Sequence, residues 1–215
     1  MLLDAAVLTV IVGIAIGGGR LGRLKALDLR VPWVFILAAA VQVGLMIAGA
    51  RGTAFGLGVA PALYVLTFVL VLLGIWANRR LPGMWLVGAG VFLNLLVIAA
   101  NGGSMPVDRD LAVRAGSTVM VELLDSTAYT NHVAAGEGTR LRWLGDVLAL
   151  PMVVPRPKFF CPGSVGDILV TLGACWLILS GMGAFGLGAA RGPVENDDAG
   201  GTSGTMGTNG TGNGT

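Results

Sequence analysis

The feature that most constrains this chain is a succession of apolar blocks without charged side chains, each about as long as a lipid bilayer's hydrocarbon core is thick. Val31 to Ala50 is twenty residues without a charge. At a rise of about 1.5 Å per residue, a helix of that length covers about 30 Å, which matches the hydrocarbon core. The block within Gly52 to Asn78 predicts a span over about 57–77, with Trp76 beside Arg79 and Arg80. Leu81 to Ala100 predicts another over about 82–100, opening on Pro82 and Trp85, where a helix start tolerates proline. Val165 to Leu187 holds Asp167 as its only charge and predicts a span over 165–187, its exit loosened by Gly181, Gly183, Gly186 and Gly188. Ahead of all these, Ala5 to Gly19 with Leu2 and Leu3 predicts a short span over about 3–19. A signal peptide is the rival there, but Asp4 leads and arginines follow, the reverse of a basic amino-terminal region. Composition agrees: charged residues are 12%, against roughly a quarter in soluble domains, and 54% are hydrophobic. The expected fold class is therefore all-α, a polytopic membrane bundle of five transmembrane helices. Nucleic-acid-binding, secreted and cytosolic-enzyme readings are set aside.

Orientation follows from short loops, where Lys and Arg favour the cytoplasmic side. Arg20, Arg23, Lys25 and Arg30 lie between the first two blocks and Arg79 and Arg80 between the third and fourth, while Arg51 stands alone after the second. Six against one predicts the amino terminus outside. It also predicts the tail 188–215, rich in Gly, Thr and Asn, to be cytoplasmic and disordered, because it has too little apolar surface to offset its ordering entropy. Fourteen Lys and Arg against twelve Asp and Glu give a formal +2, too even to argue for an acidic partner. No repeat at solenoid periods and no inverted-repeat symmetry is evident.

The segment 101–164 is then an outer cap, predicted to be helical and to lie on the bundle. Asn101-Gly102-Gly103 stops the fourth helix. Leu111, Ala115, Val119 and Leu123 fall at helical spacing within 108–124. Pro151, Pro155, Pro157 and Pro162 favour extended backbone after Leu150, with Trp143, Phe159 and Phe160 expected at the interface.

Asn101-Gly102-Gly103-Ser104-Met105-Pro106, Asn131-His132, Thr139 to Asp146, and Gly163-Ser164-Val165-Gly166-Asp167-Ile168-Leu169 with Gly173 form a block pattern. It resembles a bacterial multi-pass membrane-protein family, domain of unknown function 5317, over about residues 1–187. The resemblance implies the bacterial cytoplasmic (inner) membrane and the interest of these positions, and no reaction.

Each polar position has a structural and a functional reading. An acid inside a span is costly enough to mark a site, yet Asp167, one turn into its helix, would also offset the dipole and accept free backbone N–H groups. Asn94 and Asn101 are seven apart, on one helical face, and either donate toward Asp167 or join helices as polar glue. Asp146 is either a cap in a Gly-Asp turn or the second carboxylate of an acid pair in which like-charge proximity raises one pKa. His132, the only histidine, is a locally hydrogen-bonded residue or a binding group. No compact ligand spacing predicts a metal, and no cofactor motif is present. Cys161 outside and Cys175 two turns into a helix should be too far apart for a disulfide. Gly13-x-x-x-Gly17 permits close helix contact, but 35 glycines make such a spacing common by chance.

Three functions follow. The first is a non-enzymatic envelope component whose cap binds a partner protein, a lipid or an envelope precursor. The second is an intramembrane-edge aspartate hydrolase, with Asp146 and Asp167 catalytic. Phe160 to Asp167 and then Gly173 resembles the element that opens the last helix of lipoprotein signal peptidases, but the Asn-x-x-Asp-Arg element of that family is absent. The third is a transporter or channel, which fits worst because Asp167 is the only acid well inside a span.

Overall fold

The computed structural model describes residues 27–51, 59–125, 131–151 and 160–183, together with Ile14. The expected span 3–19 and the tail 188–215 lie outside these residues. What is described is mostly helical. Four long apolar helices, α1 (Pro32–Ala50), α2 (Val59–Ala77), α3 (Met84–Ala100) and α6 (Val165–Gly181), occupy the apolar blocks, with Asp167 the one charge among them. Two of them, over Pro32–Gly49 and Val59–Ala77, are long and apolar enough to cross a membrane; the others are apolar helices of 17 residues. Fewer than a third of the residues in those two windows are buried. The exposed ones include Ile36, Leu37, Met46, Leu63, Leu66 and Leu73, so these helices show apolar side chains outward.

Local chemistry sets the helix ends. Pro32 opens α1, where its missing N–H costs nothing. Ser164 and Asp167 form a reciprocal capping box on α6: the Ser164 hydroxyl accepts from the Asp167 N–H, and the Asp167 carboxylate accepts from the Ser164 N–H. Gly102 and Gly103 take φ of 70° and 88° just past α3, a left-handed turn that glycine makes without steric cost.

Successive helices run antiparallel. Phe35 packs on Gly74, and the Gln42 Nε2 donates to Thr67 Oγ1 at 2.8 Å, fixing α1 against α2. At one end the Arg30 N–H donates to Asn78 Oδ1 and the Asn78 amide donates back to the Arg30 carbonyl. Among the described helices, α3 and α6 make the most extensive contact. Gly83 and Gly90 on one side face Gly173 and Gly166 on the other, each pair seven residues apart. Seven residues are about two turns, so both glycines of a pair lie on one face. A Cβ on Gly173 would come within 2.6 Å of the Gly83 carbonyl oxygen, so the backbones approach this closely only because no side chains intervene.

The described residues of the segment 101–164 pack over the end where α1 and α3 finish and α2 and α6 begin. It is not the helical cap expected from the sequence. Its elements are β1 (Met105–Val107), α4 (Arg109–Arg114), α5 (Thr118–Asp125), β2 (His132–Ala134), a 3-10 turn (Arg142–Leu144), β3 (Leu148–Pro151) and β4 (Phe160–Gly163). Strand β1 pairs in parallel with β2, and β3 pairs antiparallel with β4. The single helix predicted over 108–124 is broken at Gly116, whose φ of 67° ends α4 before Ser117 leads into α5. Met105 and Leu144 join Leu45, Ala60, Tyr64, Val97 and Ile98 in one buried cluster, which anchors this segment to three helices. Trp143 stands exposed and Phe160 half-buried; Phe159 lies outside the described residues. Neither Cys161 nor Cys175 is in a disulfide.

Candidate functional site

Polar groups concentrate where the 101–164 segment meets the helices, and they form two adjoining clusters. The first is a closed ring at the start of α6. The Asn94 Nδ2 donates to Asp167 Oδ1 at 3.0 Å, and the Ser164 hydroxyl donates to Asn94 Oδ1 at 2.9 Å. The Ser164 N–H donates to Asp167 Oδ2 at 3.0 Å. Ser164 and Asn94 are buried, so each bond satisfies a group that would otherwise be costly to desolvate. Asp167 therefore caps its own helix and bonds α3 at once, and both of its oxygens are engaged.

The second cluster runs through the cap segment. Asp146 follows the 3-10 turn, and its backbone is held against β1: its N–H donates to the Pro106 carbonyl, and its carbonyl accepts from the Asp108 N–H. It is not the helix cap that a Gly-Asp turn suggested; that role falls to Asp108 on α4 and Ser164 on α6. Its side chain is buried, and Oδ1 has no hydrogen-bond partner. His132 opens β2, with Nε2 3.9 Å from Asp146 Oδ2 and Nδ1 3.0 Å from Asn131 Oδ1. The Asn131 amide in turn donates to the Tyr64 hydroxyl on α2 at 3.3 Å.

Burial governs the charges here. Desolvation, and next the negative charge of Asp167, push the Asp146 carboxyl up to about 7. Desolvation pulls the His132 imidazolium down from its ordinary value, against a smaller opposing pull from Asp167. His132 is thus neutral at neutral pH, and at 3.9 Å it faces Asp146 as a polar neighbour rather than an ion pair. A late-ionising acid beside a largely neutral imidazole presents hydrogen-bond donors and acceptors in a buried setting.

The predicted site residues divide accordingly. Asn94 meets Asp167 and His132 meets Asp146, and the charge of Asp167 reaches both members of the second pair. Asn101 does not point at Asp167. Its amide donates to the carbonyls of Val97 and Arg140, and its oxygen accepts from the Arg140 N–H, which stitches the cap segment to the end of α3. Helical spacing put Asn101 on the face of Asn94, but the helix ends there, so the side chain turns to the loop. Tyr64, Asn131 and Ser164 were not singled out as site residues. Asn131 and Ser164 carried a signal, a polar residue next to a candidate; Tyr64, in an apolar block, carried none. No group of three His, Cys, Asp or Glu side chains positioned for a metal occurs among the described residues.

The Family of unknown function DUF5317 matches residues 26–179, which takes in α1 through nearly all of α6. The chain belongs to this family. An uncharacterized protein of Thermotoga maritima is 33% identical to this DUF5317 protein over 108 residues, which are 50% of the chain and 57% of that relative. The chain thus spans little more than half the length of the relative it matches. No solved structure matches this DUF5317 protein.

Proposed function

We propose that this protein is a multi-pass component of the bacterial cytoplasmic membrane. In this reading it has five spans, its amino terminus outside, its tail in the cytoplasm and the 101–164 segment as an extracytoplasmic cap. It is a non-enzymatic binder that takes the polar head group of an envelope lipid or lipid-linked precursor where cap and bundle meet. The outward apolar side chains of α1 and α2 support the membrane part. So does the clustering of Trp33, Trp76, Trp85 and Trp176 toward the end that carries Arg30, Arg79 and Arg80, an aromatic belt on the basic side. One observation carries the binding part: Asp146 Oδ1 is buried without a hydrogen-bond partner beside His132, and a buried acceptor left unmade costs about 1–3 kcal/mol unless something fills it. A neutral donor, a hydroxyl or an amide, would satisfy it.

The hydrolase alternative requires a water held between two carboxylates, and no observation favours it, since both Asp167 oxygens already accept hydrogen bonds from Asn94 and Ser164. Two experiments test the proposal. Labelling of Cys161 in intact cells by a membrane-impermeant maleimide is expected, with permeabilised cells as the control; reaction only after permeabilisation would invert the topology. Mass spectrometry of lipids that copurify with the wild type should then reveal a species that Asp146→Leu loses and Asp125→Asn retains. Identical lipid profiles in all three would remove the binding site from Asp146.

A further inference from the structure

The end of the molecule opposite the cap carries a second feature. Between α2 and α3 lies a groove of about 380 Å³, lined by Leu72, Ile75, Trp76, Trp85 and Phe92 and by the exposed Arg79 just past the end of α2. Its origin is a pattern on α3: Trp85 and Phe92 are seven residues apart on one face, and Gly88 and Ala89 between them leave a slot about 10 Å long. Trp76 meets Trp85 edge to face with centroids 6.1 Å apart, so the two rings line the groove together. The Arg79 guanidinium lies 4.8 Å over the Trp76 ring and gives one N–H to the Trp76 carbonyl. Of its five N–H donors, others remain for an anion. Arg80 is adjacent and exposed, and Arg30 is tied to the same end through Asn78. No acidic side chain lines the groove.

An apolar slot along the helices, lined by the Arg79 guanidinium with Arg80 next to it in the chain and tryptophans at the same end, suits an acyl chain in the slot and a phosphate at its basic end. We infer that the α2–α3 groove binds one anionic phospholipid of the cytoplasmic leaflet, with an acyl chain between Trp85 and Phe92 and the head-group phosphate on Arg79 and Arg80. The inference rests on the membrane reading above and is independent of the Asp146 site. Charge complementarity selects this occupant over a second copy of the chain, whose identical groove would bring arginines against arginines.

The test begins with alkaline carbonate extraction of membranes. Release of the protein would overturn the membrane reading and this inference with it. If the protein stays in the membrane, native mass spectrometry of the full chain in nanodiscs containing phosphatidylglycerol and phosphatidylcholine should show selective retention of one phosphatidylglycerol. Arg79→Gln should weaken that retention about fivefold, the effect of one arginine at a membrane surface, and leave phosphatidylcholine unaffected. Ala89→Trp, which fills the slot at an exposed position, should abolish it, while Arg51→Gln at the other end should not change it. Equal retention of both lipids, a dimer lost on Ala89→Trp, or displacement by inorganic phosphate alone would each overturn the lipid inference and leave the membrane reading standing. Circular dichroism matching the wild type establishes that each variant is folded.

Discussion

Asp146→Asn isolates one buried ionisation. In the folded protein the carboxyl is held at about 7, against 3.8 for an ordinary aspartate. Between those values the folded state keeps a proton that the unfolded chain has already lost, so this group's contribution to stability falls as pH rises through the window. At roughly one kcal/mol per pH unit, the whole window is worth about 4 kcal/mol, and most of it falls between about pH 5 and about pH 8, on the order of 2–3 kcal/mol. His132 has the opposite slope. Its imidazolium is disfavoured by burial, so the unfolded chain takes up more protons just below 6.5, and its contribution grows with pH there. The wild-type profile is therefore a partial cancellation, whereas the difference between wild type and Asp146→Asn removes the shared His132 contribution. Asparagine keeps the shape of the acid and cannot ionise. Equilibrium unfolding in mixed micelles, followed by tryptophan fluorescence across that pH range, should show the variant gaining on the order of 2–3 kcal/mol on the wild type from about pH 5 to about pH 8. Two parallel curves would refute the assignment of a desolvated, late-ionising acid at this position.

Other expectations follow from the packing and the hydrogen bonds. Gly166→Ala would drive a Cβ into the Asn94 side chain and should destabilise by about 1–3 kcal/mol, whereas Gly44→Ala, with nothing within 4 Å, should stabilise by about 0.5–1 kcal/mol in the same unfolding assay. Equal effects of the two would mean that α3 and α6 are not packed backbone to backbone. Ser164→Ala removes both the α6 cap and the donor to Asn94 and should cost about 2 kcal/mol, with faster amide exchange in the first turn of α6. Asn101→Ala should leave the thermal midpoint little changed but speed trypsin cleavage at Arg140 and Arg142, because it unties that loop from α3. Asp125→Asn breaks only the exposed pair with Arg109 and should not move stability; a measurable loss would show that this surface is covered in the native assembly.

Apolar length and scarcity of charge were enough to locate α1, α2, α3 and α6, because a long run of apolar residues has few alternatives to a helix whose backbone bonds are internal. The same local logic placed the Asn101-Gly102-Gly103 stop and made Asp167 a natural helix-start acid, since capping depends on residues three or four apart. It failed over 108–124, where apolar spacing suggested one helix and the left-handed geometry of Gly116 made two. It also failed on the helical cap, because strands of three or four residues are created by their partners: β1 exists through β2, twenty-five residues further on, and nothing in Met105–Val107 alone requires it. Nothing in the sequence singled out the glycine pairs 83/90 and 166/173, because their meaning depends on which two helices face each other. Asn94, Asp146, Asp167 and His132 were recognisable as costly polar groups in an apolar chain, which is a local property. That Ser164 closes a ring with Asn94 and Asp167, that Asn101 turns away to Arg140, and that Tyr64 and Asn131 join His132 beside Asp146 depended on contacts across forty to seventy residues. Sequence by itself located the four long apolar helices and the capping residues at their ends, since those follow from apolar length and near-neighbour hydrogen bonding. Only the tertiary structure decided the site, because a side chain's protonation and partners are set by the distant elements that bury it.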